Sequence, residues 1–155
     1  LTLWKNIIMR NLFLILFAIF LTNCKGDDNT KITNDREIFE ILAQGFFSGN
    51  NIITTGQNSV ITNQSDWNQL VALLSTPQYD LSTVSVNFNH ENILFIRDEP
   101  RPDGKYSIIV DKVLYTSTEI QVYIKKEVSE FGPDMPRQPF CIAKISKTNL
   151  PVNFY

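Results

Sequence analysis

The chain has 155 residues, a net charge of −2, 43% hydrophobic residues and two cysteines. One domain of ordinary size fits that length. The acidic balance argues against a nucleic-acid partner, which calls for a basic stripe.

Lys5 and Arg10 make a positive start, and Leu12 to Leu21 form an unbroken apolar run. A membrane-spanning helix needs about 20 apolar residues, so this run suits the core of a secretory signal peptide. It ends Leu21-Thr22-Asn23-Cys24, which resembles a bacterial lipobox. In that motif the cysteine becomes the first mature residue and carries the lipid. Asn23 stands where Gly, Ala or Ser is usual. Each buried methylene contributes about 0.8 kcal/mol and stable anchoring takes two chains, so a thiol between an apolar run and a polar tether is well placed for acylation. Lys25, Asp27 and Asp28 follow and resemble the export tag of Bacteroidetes surface lipoproteins. The expected layout is a lipoprotein signal over 1–23, a tether over 24–35 from acylated Cys24, and a domain over 36–155. An outer-membrane lipoprotein is expected, with the surface and periplasmic faces both open. Losing residues 1–23 removes two of 14 basic residues and none of 16 acidic ones, so the net charge moves from −2 to −4. With Cys24 acylated, Cys141 has no intramolecular disulfide partner.

"REIFEILAQGFFSGN" fits a strand buried on both faces, with a short helix as competitor. Gly45, Gly49 and Asn50-Asn51 mark turns, and "NSVIT" reads as a short strand. Ser65 to Leu74 predicts a helix. Ser65 is an N-cap residue type, Asp66 suits the positive dipole end, and Trp67, Leu70, Val71 and Leu74 share one face. Asn92 to Arg97 predicts a strand. Lys105 to Tyr115 and Glu119 to Val128 predict an antiparallel pair. In the second, Ile120, Val122, Ile124 and Val128 alternate with Glu119, Gln121, Tyr123, Lys125 and Glu127, which gives one dry and one wet face. "GPDMPRQP" over 132–139 breaks regular structure. Phe140 to Ile145 predicts a last strand, and Val152 to Tyr155 an edge pairing. The fold class is α+β: mostly antiparallel β, a small sandwich or partly open barrel, with one packed helix near 65–74.

Catalysis needs a nucleophile, a base and a stabiliser within reach of one another. His90 is the only histidine and sits in a predicted turn, while Cys141 lies in an apolar strand, where a thiol is inert. Arg97, Asp98, Glu99, Arg101 and Asp103 read as an internally paired, solvated loop rather than a calcium site. No phosphate loop, zinc spacing or G-x-S-x-G occurs. The chain reads as a non-enzyme with no cofactor and no metal. "FGPDMPRQPF" offers Phe131, Met135, Arg137 and Phe140 on a proline-stiffened loop as candidate partner-binding residues. Aromatics, Met and Arg are enriched at interface cores, and stiffness lowers the ordering cost.

The stretches "SVITNQSDWNQL", "VNFNHENILFI", "RPDGKYSIIVDKV" and "PFCIAKISKTNLPVNF" together resemble the C-terminal domain of the protease complex subunit PrcB family, over most of 37–155. The family motif resembles P-T-G-G-Y-S-I ahead of a long hairpin. Pro102, Gly104, Tyr106, Ser107 and Ile108 match it, with Asp103 for Thr and Lys105 for the second Gly. Cys141 stands where the family usually has His. The resemblance implies a small non-catalytic lipoprotein that assists a secreted or surface protease. The residues themselves imply a turn: Pro102 presets φ and Asp103-Gly104 supplies the bend. Lys105 implies that its position does not need positive φ. Tyr106 then opens an inward face with Ile108 and Val110. The alternative function is a glycan- or small-molecule-binding surface lipoprotein, using the wet hairpin face and the 131–140 loop.

Overall fold

The computed structural model describes residues 39–49, 52, 56–74 and 79–155. The elements run β1 (Glu40–Ser48), β2 (Ser59–Ile61), α1 (Gln64–Leu74), β3 (Glu91–Arg97), β4 (Tyr106–Tyr115), β5 (Ile120–Val128), β6 (Arg137–Ser146) and β7 (Val152–Phe154). A four-stranded sheet has the order β1-β6-β3-β2, and a three-stranded sheet the order β4-β5-β7. All pairs are antiparallel except β5–β7, which is parallel. Of the two expected architectures the structure is the sandwich; the sheets do not close into a barrel.

The near-continuous apolar runs of β3 and β6 follow from burial on both faces. Ile93, Phe95, Phe140 and Ile142 pack towards α1, against Trp67, Leu70 and Leu74. Their neighbours Leu94, Ile96, Cys141, Ala143 and Ile145 pack towards the hairpin, against Ile108, Val110, Val113, Ile120 and Val122. Alternate side chains leave opposite faces of a strand, so a sheet between two apolar layers needs an apolar residue at nearly every position. β1 obeys the same rule. Phe39 and Ile41 join the hairpin core, while Leu42, Ala43 and Phe47 join the helix core, with a bulge between Ile41 and Ala43. The competing helix is not formed.

The predicted helix is present, but it starts earlier than Ser65. Asn63 is the cap: its Oδ1 accepts from the Asp66 N–H at 3.0 Å, and its Nδ2 donates to Asp66 Oδ2 at 2.8 Å. That reciprocal pair satisfies an orphan donor of the first turn, as a capping box does. Asn63→Ala should cost about 1 kcal/mol, read as a lower urea midpoint with unchanged slope. The apolar face holds: Trp67, Leu70 and Leu74 are buried and Val71 packs beside them. Burial of such a side chain contributes about 1.5–3 kcal/mol, which is what keeps so short a helix on the sheet.

Two details depart from strict alternation. β4 bulges between Val110 and Lys112, so Asp111 and Lys112 both face solvent and Val113 returns to the core. β5 keeps its inward face only through Ile124; Val128 passes beyond the core and is 68% exposed. β6 begins at Arg137 rather than at the expected Phe140 and includes Pro139. The Pro139 carbonyl accepts from the Asp98 N–H at 3.0 Å. The N and C=O of one strand residue point to the same side, so the missing donor of Pro139 lies where β3 has ended. That is a position a sheet tolerates. Gly45 meets a different demand. A Cβ there would fall inside the Tyr79 ring. The Tyr79 hydroxyl accepts from the Phe46 N–H at 3.2 Å, and its ring stands edge-on to Phe140 at 5.1 Å.

Candidate functional site

Cys24, Lys25, Asp27 and Asp28 lie outside the described residues. The remaining candidates gather where the β3–β4 and β5–β6 connections meet. Arg101 and Arg137 form a two-way backbone bridge there, at 2.7 and 3.0 Å. The stretch from Pro102 to Ile108 contains the turn that docks the second connection on the first. Asp103 Oδ1 accepts from the Lys105 N–H at 3.0 Å, which bends the chain. The Gly104 N–H donates to the Pro133 carbonyl, and the Ser129 N–H to the Lys105 carbonyl, both at 2.8 Å. Gly104 is required for closeness rather than for φ. A Cβ on it would meet Pro133 Cδ at 2.7 Å, and among the described residues Gly49 is the only glycine with positive φ. Lys105 likewise has ordinary φ, as its side chain implied. Tyr106 is half-buried under the Arg101 guanidinium, 5.0 Å from the ring centre. Ile108 is in the core, and Ser107 pairs in register with Glu127.

This docking holds the 129–136 connection in place and leaves its apolar side chains in water. Phe131 is 83% exposed and Met135 49% exposed. The Arg137 side chain reaches back along the same connection, with Nη2 3.8 Å from Met135 Sδ and its guanidinium 5.4 Å from the Phe46 ring centre. Phe140 is different and corrects the sequence reading. It is 0% exposed, faces α1 and packs against Phe47 with the rings tilted and their centres 4.8 Å apart. The loop ends before it, so Phe140 belongs to the core and offers no surface to a partner.

Beside the loop lies a charged centre. Asp98 is buried, and its carboxylate takes Arg101 Nη2 at 2.6 Å, Arg101 Nε at 2.9 Å and Lys126 Nζ at 2.8 Å. Burial pushes the Asp98 pKa up, but hydrogen bonds from Lys126, Arg101 and the Glu99 N–H together outweigh it and leave it below the ordinary value. Gln138 Nε2 donates to the Asp98 carbonyl at 2.9 Å, so side chain and backbone are both held. The sequence placed Asp98 in a solvated loop; the internal pairing is present, the solvation is not. Around it is a polar cleft of ≈ 320 Å³ lined by Gly56, Asn58, Arg97, Asp98, Glu99, Arg101 and Lys126. Its carboxylate is already committed to cations in this chain.

The Cys–His pair is not assembled. His90 is exposed in the turn before β3, and Cys141 is buried in the middle of β6, where it pairs with Ile96 near the opposite end of β3. Burial pushes the Cys141 thiol pKa up, against a weaker opposing bond with the Val110 backbone. A thiol in that state is not a nucleophile at neutral pH. The wet hairpin face named by the alternative sequence reading carries a second candidate site. Tyr123 and Tyr155 stack with ring centres 5.5 Å apart, beside Glu119, Gln121 and Asn153. The outward parity of Tyr123 was readable; the parallel docking of β7 that brings Tyr155 alongside was not. Compared with family models, curated proteins and solved structures, the chain matches none of them.

Proposed function

We propose that this chain is an envelope lipoprotein, acylated on Cys24 and held at the outer membrane, whose domain is a non-catalytic protein-interaction module. Lys25, Asp27 and Asp28 serve as its export signal. In line with the PrcB resemblance, its partner is a secreted or surface protease that it assists as an accessory subunit. The observation that carries this reading is the connection over 129–136, where Phe131, Met135 and neighbouring Val128 stand in water on a backbone pinned to Gly104 and Lys105. Large apolar side chains are kept exposed on a fixed scaffold where a partner covers them. The binding residues are Phe131 and Met135 with the Arg137 guanidinium beside them.

The combined substitution Phe131→Asp and Met135→Asp should lower partner capture from intact cells about tenfold, the factor given by ~1.4 kcal/mol of lost contact energy. Stability should stay within about 0.5 kcal/mol, because neither side chain packs in the core. Unchanged capture would remove the loop from the account. A second reading, binding of a glycan or small molecule, draws its support from Tyr123 and Tyr155 on the hairpin.

A further inference from the structure

The inward residues of β5 and β7, Ile120, Val122, Val152 and Phe154, fill or flank the core. Their outward neighbours are therefore not needed to hold the fold, yet they are tightly organised. Register sets Gln121 beside Asn153, and one step further Tyr123 beside Tyr155. The two rings lie 24° from parallel, so each fixes the other, and Tyr155 on the sheet edge is 57% exposed. A single carboxylate ties the polar residues together. Glu119 Oε1 accepts from Gln121 Nε2 at 2.6 Å and from the Tyr155 hydroxyl at 3.5 Å. Glu119 Oε2 accepts from Asn153 Nδ2, and the Tyr123 hydroxyl donates to Gln121 Oε1 at 3.0 Å. The Glu119 backbone is itself locked by Thr116, whose Oγ1 accepts from the Glu119 N–H at 2.9 Å and donates to its carbonyl at 2.8 Å.

We propose that this outward face of β5 and β7 binds a neutral glycan, with Tyr155 and Tyr123 as the stacking platform and Glu119, Gln121 and Asn153 as the hydroxyl-binding rim. The inference rests on the ligand-binding reading and is independent of the 129–136 connection. A pyranose ring has an apolar C–H face and an edge of hydroxyls that both donate and accept. A tyrosine face beside rigid amides matches both halves. Each amide has two N–H donors and a carbonyl with two lone pairs, so Gln121 and Asn153 keep capacity for a ligand after serving Glu119. Hydrogen bonds from Gln121 and Asn153 hold the Glu119 pKa down, and the exposed Lys112 stands opposite Tyr123 in the hairpin register, so the platform is flanked by one charge of each sign rather than by a field that selects an anion. A cation is disfavoured because the carboxylate is already shared among three donors. The arrangement is formed before any ligand arrives, so little ordering cost remains.

The test is native affinity electrophoresis of the full chain in detergent, in gels containing a β-glucan, an α-glucan, a mannan or a xylan. At least one should retard the protein. Tyr155→Ala and Glu119→Gln should each weaken that retardation about tenfold, while the helix-surface control Gln69→Ala should leave it. Thermal melting of each variant checks that the fold is kept. No retardation in any of the four gels, or equal retardation of wild type, Tyr155→Ala and Glu119→Gln, overturns the proposal. Retardation abolished by tetramethylammonium but insensitive to added free sugar overturns it in favour of a cation site. Capture through Phe131 and Met135 is untouched by these variants, so the two readings fail separately.

Discussion

Phe140→Ala should destabilise the protein by about 3–5 kcal/mol, the cost of removing a buried aromatic ring and leaving a cavity. That is a large share of the 5–15 kcal/mol that holds a typical domain together. The ring is in contact with Phe47 on one side and stands edge-on to Tyr79 on the other, and Tyr79 in turn fits over Gly45. Removing it loosens the join between β1, β6 and the segment that carries Tyr79. Urea unfolding should show the loss directly. Whatever fraction remains folded should capture a partner as wild type does, because Phe140 contributes no surface. A Phe140→Ala protein of wild-type stability with lost capture would reverse these roles.

Asp98 is the second position where a single change should cost much. Asp98→Ala strips the counter-charge from Arg101 and Lys126 and should destabilise by about 2–3 kcal/mol. Breaking a fully buried pair costs about 3–5 kcal/mol; here both cations retain access to water, which lowers the figure. Because Lys126 comes from β5 and Asp98 from the end of β3, the loss falls on the contact between the two sheets. The same group shapes the acid limb of stability. Its pKa in the folded protein lies below the 3.8 of the free group. Above that value both the folded and unfolded forms are ionised and the full stabilisation is present. As the pH drops below it, the unfolded chain takes up its proton first, and the stabilisation is lost as the pH falls through the folded-state value. Asp98→Asn should therefore be less stable than wild type at neutral pH and converge with it in strong acid. A constant gap between the two across pH 2–7 would contradict the ion-pair account.

Much of this architecture was legible because burial imposes a period. The wet and dry faces of β5, the apolar face of α1 and the two-sided burial of β3 and β6 all follow from which positions are apolar. What was not legible depends on partners distant in the chain. Asn63 caps the helix in place of Ser65 because the helix already starts at Gln64. Asp98 sits among charges that look solvated in sequence, and only the approach of Lys126, 28 residues on, encloses it. Phe140 ends the proline-rich run and opens the predicted strand, and its place in the core is settled only when β6 is seen to begin at Arg137. Gly104 reads as a turn glycine, whereas the structure uses its missing side chain to admit Pro133. Candidate surfaces were found where residue type alone is informative, as with Phe131 and Met135. They were only half legible where two strands had to meet: the wet face with Tyr123 was named, but not the Tyr155 that β7 brings beside it.

The most direct test of the central claim is a photo-reactive amino acid placed at position 131 of the full chain and activated in intact cells. Position 69, on the exposed side of α1, is the control. The account predicts one discrete cross-linked adduct from position 131, containing an envelope protein, and none from position 69. No adduct from 131, or the same adducts from both positions, would contradict a partner seated on this loop.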